Sequence, residues 1–115
     1  MPKIYEVILS DEAAKNIEDA YLWIAESDAQ AAERWYKGLI EGLKTLTSFP
    51  LRCPVAPESR FGLLDREVRQ YLYGPGYWKY RVLYAVDGSR VLVAHVRHGA
   101  RLYLGQDESE EDASE

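Results

Sequence analysis

Both histidines of this 115-residue chain fall in one short run, "VLVAHVRHGAR", at residues 91–101. His95, Arg97, His98 and Arg101 crowd its second half, and Arg69, Lys79 and Arg81 lie upstream in segments with a similar alternating pattern. These residue types suit chemistry on an anion. A histidine near neutrality can move a proton, and arginines can hold the charge that develops on phosphate. Cleaving a phosphodiester without a metal needs a base for the attacking hydroxyl, an acid for the leaving oxygen and cations on the phosphorane. Two plainer readings compete with this one: a solvated strand face, or a surface on which an acidic partner docks. Spacing alone leaves the three open. His95 and His98 are three apart in an extended run, which turns them to opposite faces, so no shared metal is expected. The chain has no zinc spacing, P-loop or dinucleotide-binding glycine motif, and no cofactor is expected.

The distribution of charge supports an anion-facing surface. The net charge of −5 conceals a split. Residues 107–115 hold six acids and no base, residues 1–49 hold nine acids against five bases, and residues 50–106 hold nine bases against four acids. Eight of those nine bases are arginine, whose planar fork fits carboxylate and phosphate. Cys53 is the lone cysteine, which excludes an internal disulfide and fits a reduced compartment. The first residues carry Glu6, Asp11 and Glu12 where a signal peptide would be apolar, and no apolar run reaches the roughly 20 residues of a membrane span. A soluble, cytoplasmic protein with no membrane contact is expected.

The elements that would position these residues read as β-α-α-β-β-β, an α+β fold. "KIYEVIL" at 3–9 is a strand. Ser10 offers an N-cap, and Ala14, Ile17, Tyr21 and Ile24 recur at helical spacing over 11–26. Asp28 caps a second helix with Ala32, Trp35, Leu39, Leu43 and Leu46 on one face, ending before Pro50. The two should form an antiparallel hairpin, with Trp23, Trp35 and Tyr36 in the core or between the helices. Residues 50–65 read as a loop, and 66–73, 78–86 and 90–98 as strands. Alternation puts Trp78, Tyr80, Val82, Tyr84 and Val86 on one face, which favours core over a base-stacking platform.

The Asp87–Gly88 pair marks the last hairpin. A three-residue loop with Gly88 left-handed would pair the aromatic set with Leu92, Ala94 and Val96. It would also gather Lys79, Arg81, His95 and Arg97 on the other face; a two-residue loop would mix the sets. The three-residue loop is preferred because it segregates polarity. Residues 1–105 form one domain, two helices on a mainly antiparallel sheet, and 106–115 an acidic tail expected to be disordered.

These parts, in this order, resemble the RelE/ParE superfamily of bacterial type II toxin–antitoxin toxins over about residues 4–101. "LSDEAAKNIEDAYLWIAESD" and "AAERWYKGLIEGLKTLTSFP" are similar to its helical hairpin, "REVRQY" and "YRVLYAVDG" to its central strands. "HVRHGAR" is similar to the HGxR ending common in the ParE branch, which the chain resembles more closely.

The resemblance implies a toxin neutralised by an antitoxin encoded beside it, a segment of which covers the basic groove. ParE-like members are linked to inhibition of DNA gyrase. RelE-like members cleave mRNA on the ribosome. Arg81 stands at the "YR" position of a phosphate-contacting arginine in RelE-like enzymes. Gly99 stands where their second catalytic arginine would be, His98 on a neighbouring basic position, and Tyr103 in place of the terminal aromatic at shorter spacing. The nuclease set is therefore incomplete. The expected function is ParE-like growth inhibition through gyrase. The alternatives are a metal-independent mRNA endoribonuclease using Arg81, His98, Arg101 and Tyr103, or a degenerate non-toxic binding domain. Arg69, Lys79, Arg81, His95, Arg97, His98 and Arg101 are the expected target- or antitoxin-binding set.

Overall fold

A computed structural model of the chain describes residues 3–61, 66–74 and 79–99. Ser10 starts α1 (Asp11–Ser27) as its capping position predicts: its Oγ accepts from Ala13 N at 2.9 Å, with Asp11 and Glu12 in the electropositive first turn. Asp28 Oδ1 accepts from the backbone N–H groups of Gln30 and Ala31 at 3.0 and 3.1 Å and starts α2 (Ala29–Lys44). A 3-10 turn over Thr45–Thr47 carries α2 toward the stop at Pro50.

Both helices pack on one face of a four-stranded mixed sheet, the α+β arrangement read from the sequence. Its strands are β1 (Glu6–Leu9), β2 (Arg69–Tyr73), β3 (Tyr80–Asp87) and β4 (Arg90–His98), in the spatial order β1-β4-β3-β2. β1 pairs with β4 in parallel; the other neighbours are antiparallel. The helix-facing core joins Ala13 and Ile17 of α1 and Leu39 and Leu43 of α2 to Tyr80, Val82, Tyr84, Val91, Val93 and Val96 of the sheet.

Three expectations change. Trp23 is 65% exposed, not core or helix interface, because α1 buries Ala13 and Ile17 and Trp23 points about 100° round the helix from Ile24. For the same reason Ala14 is exposed and Ala13 replaces it in the core. The segment read as a loop is ordered over 50–61. It holds 3-10 turns at Pro50–Arg52 and Pro57–Phe61 and a bridge between Val55 and Arg69 on the outer edge of β2. This segment crosses to the face of the sheet away from the helices, where Ala56, Val68 and Leu83 form a small second core.

The β3–β4 hairpin also differs. Its loop has two residues, Gly88 and Ser89, between the paired Asp87 and Arg90, and Gly88 has φ +61°. Val91 and Val93 therefore join Val86 and Tyr84 on the helix side. Tyr84 pairs with Val93 but Leu83 with His95, so Ala94 is an extra residue, a β-bulge that shifts every later side chain to the opposite face. Val96 then faces the helices, while His95 and Arg97 join Leu83 and Arg81 beyond. The predicted grouping of Arg81, His95 and Arg97 is thus reached by a bulge, not by a three-residue loop.

Candidate functional site

Two long-range contacts from α1 hold the bulge. Ser10 Oγ donates to Ala94 O at 2.8 Å, and Asn16 Oδ1 accepts from Val96 N at 3.0 Å. Both satisfy backbone groups that an irregular ladder would leave unpaired. The bulge sets Arg81 opposite Arg97 and Leu83 opposite His95 on the sheet face away from the helices.

Two like charges on directly opposed strand positions repel. The fold offsets this with a carboxylate. Arg81 Nη1 and Nη2 donate to Glu58 Oε2 and Oε1 at 2.7 and 2.6 Å, a fork-on-fork pair, and Glu58 is 0% and Arg81 5% exposed. Gln70 Oε1 accepts from Arg81 Nε and Nη2 at 3.1 and 2.8 Å. The phosphate-contacting position of the resemblance is therefore filled from within the chain. Glu58 and Gln70 were not candidates in the sequence. The signal that could have found Glu58 is Arg81 itself, since an arginine inside an interior strand needs a counter-charge.

The remaining candidates separate. Arg69 Nη1 donates to Leu51 O and Cys53 O at 3.2 and 2.7 Å, and its Nη2 pairs with Glu67 at 2.7 Å, so it braces the 3-10 turn at Pro50–Arg52 and the residue after it. Lys79 Nζ donates to Gly74 O at 2.9 Å and ties together the chain on either side of the β2–β3 connection. His98 lies on the helix side, its ring 5.2 Å from Tyr80 at 90°. His95 is half-buried on the opposite face; burial lowers its pKa from the ordinary value, Arg97 lowers it too, and Glu12 and Glu58 oppose them. Its imidazole is neutral near pH 7 and can accept a proton. Arg101 and Tyr103 lie outside the described residues. Arg81, His95 and Arg97 share a face; Arg69, Lys79 and His98 do not extend it into one basic groove. Among the described residues, no group of three or more His, Cys, Asp or Glu could hold a metal, and no helix is long and apolar enough to cross a membrane.

On the other side of the molecule, a cleft of about 440 Å³ opens between α1 and α2. Leu9, Ile17, Tyr21, Tyr36 and Ile40 line it, with Glu33 accepting from the Tyr21 hydroxyl at 2.8 Å. Leu9 ends β1, which pairs only with β4 among the described residues.

A helical hairpin on one face of a small mixed sheet, with an arginine-bearing strand pair on the other, is the small α+β architecture to which the sequence pointed. The chain belongs to the ParE toxin family of the type II toxin–antitoxin system parDE, whose family model matches residues 7–103. A solved structure described as the chromosomal ParDE TA system from P. aeruginosa is similar in fold, with a TM-score of 0.62. It is 14% identical and covers 83% of this chain and 96% of that one. No curated protein matches the chain.

Proposed function

We propose that this ParE-family toxin arrests growth by binding its target, DNA gyrase, and not by cutting phosphodiesters, and that a cognate antitoxin neutralises it in the cytoplasm. One observation carries the choice of binding over cleavage. The Arg81 guanidinium, the side chain a nuclease of this fold would turn to phosphate, is buried and satisfied by Glu58 and Gln70. To serve a phosphate it must first lose a bidentate carboxylate, a strong charge-assisted contact. Family membership supports the ParE branch, and with it the gyrase target. The apolar cleft beside the β1 edge supports neutralisation by a segment carrying apolar side chains.

The test uses the purified protein. It should inhibit gyrase supercoiling in a dose-dependent way and leave mRNA uncut in a translating extract. Unchanged gyrase activity would remove the gyrase target, and codon-phased mRNA cleavage would replace binding by catalysis. Co-expression with the product of the adjacent reading frame should restore growth and yield a stable complex.

A further inference from the structure

Residues 54–59, "PVAPES", sit against the sheet in the manner of a bound peptide. Ala56 N donates to Val68 O at 2.8 Å and Gln70 N donates to Pro54 O at 3.0 Å, around the Val55–Arg69 bridge, so the segment adds a short antiparallel strand to the free edge of β2. Ala56 is buried against Val68 and Leu83. Two residues later, Glu58 enters the sheet face and forms the forked pair with Arg81. Ser59 Oγ accepts from Val68 N at 3.1 Å. Main-chain bonds to a strand edge, with pockets for selected side chains, are the usual terms on which a sheet recognises an extended peptide.

We propose that the β2 edge and the Arg81–Gln70 slot form a peptide-binding site, occupied in cis by residues 54–59. Its ligand in trans is an extended acidic segment carrying a small apolar residue two positions before a glutamate. The slot fits a carboxylate: both oxygens of Glu58 meet the guanidinium, and Gln70 fixes the fork from the side. The Ala56 pocket sets the spacing. The contacts that hold the internal segment include backbone bonds to β2, the Ser59 Oγ contact with Val68 N, the packing of Ala56 on Val68 and Leu83, and the Glu58–Arg81 pair. Local opening of such a unit costs less than global unfolding. A segment offering the same glutamate exchanges one forked pair for an equal one. The obstacle is the tether, which keeps the internal competitor at an effective concentration of about millimolar. The proposal depends on neither gyrase nor the antitoxin.

The probe is a labelled synthetic peptide, acetyl-PVAPES-amide, titrated against the full chain by fluorescence anisotropy. Glu58→Gln weakens the internal competitor and leaves Arg81 in place. This variant should bind the peptide at least about tenfold more tightly than the wild type, as expected for one close charge pair. The same peptide with glutamine for glutamate should bind each protein at least about tenfold more weakly than PVAPES does, because it cannot form the forked pair. Adding Arg81→Lys to Glu58→Gln should abolish the gain, because an ammonium cannot make the fork. Equal binding of PVAPES to wild type and Glu58→Gln overturns the proposal. So does a gain in affinity for a single-stranded RNA oligonucleotide in place of the peptide. Should Glu58→Gln fail to fold, hydrogen exchange of the wild type decides. The Ala56 and Gln70 amides should exchange through an opening that low denaturant does not change, well ahead of Val82 and Tyr84. Exchange of all four only on global unfolding means the segment does not open, and the site is lost.

Discussion

Asn16→Ala tests the device that decides which way the cationic strand faces. Asn16 sits within α1, where asparagine is a poor helix former, and its Oδ1 accepts from Val96 N at 3.0 Å just past the Ala94 bulge. Alanine removes the acceptor and strands a part-buried N–H, which costs about 1–3 kcal/mol. The exposed contact between Asn16 Nδ2 and Glu12 at 2.8 Å is also lost, at about 0.2–0.5 kcal/mol. Alanine returns up to about 0.7 kcal/mol of helix propensity. The balance is a net loss of about 0.5–3.5 kcal/mol, or a fall of about 2–14 °C in Tm for a domain of this size. Asn16→Asp retains a carboxyl acceptor and should keep most of the stability, despite repulsion from Glu12. Denaturant titration gives the two stabilities, and the Val96 amide, followed by hydrogen exchange, should lose protection in the alanine variant alone. A variant with alanine at 16 that is as stable as the wild type, or an unchanged Val96 amide, would refute the claim that α1 holds the bulge.

Three further outcomes are expected. A Cβ on Gly38 would overlap Tyr73 Oη and lie 3.1 Å from Cζ, and that hydroxyl donates to Trp35 O at 2.8 Å. Gly38→Ala should therefore destabilise by about 1–3 kcal/mol through overpacking, against the usual gain of alanine in a helix, and thermal unfolding of Gly38→Ala with Tyr73→Phe should show partial rescue. Tyr84 Oη is buried and donates to Pro50 O, so Tyr84→Phe should cost about 1–3 kcal/mol in urea unfolding by leaving that carbonyl without its partner; an unchanged midpoint would show the bond to be dispensable. His95, whose pKa burial lowers, takes up its proton at higher pH in the unfolded chain than in the folded one. Its contribution to stability is present above about pH 6.5 and is lost as the pH falls below that value, so His95→Gln should flatten the dependence of Tm on pH between about 8 and 5.

The local part of this fold was legible in the sequence because local contacts produce it. Ser10 and Asp28 cap helices through backbone N–H groups two or three residues away. The stripe Ala32–Leu39–Leu43–Leu46 buries as its spacing requires. Two strong strand runs around Asp87 and Gly88 make a hairpin. Those signals also fixed the order of elements, and with the "HGAR" ending they pointed to the family.

Tertiary structure decided what separates one reading of the site from another. The bulge at Ala94 depends on Ser10 and Asn16, 84 and 80 residues from their partners in the chain, and no local pattern in β4 announces it. Without it, period-two alternation would place His95 and Arg97 with Val91 and Val93 against the helices. Arg81 reads as an exposed cation until Glu58, 23 residues earlier in a proline-rich segment, is brought across the sheet face to meet it. Composition and alternation determine which residues are charged and which faces are apolar. Only the packed chain determines which charges remain for a partner, because burial forces each one either to find a counter-charge or to stay in water.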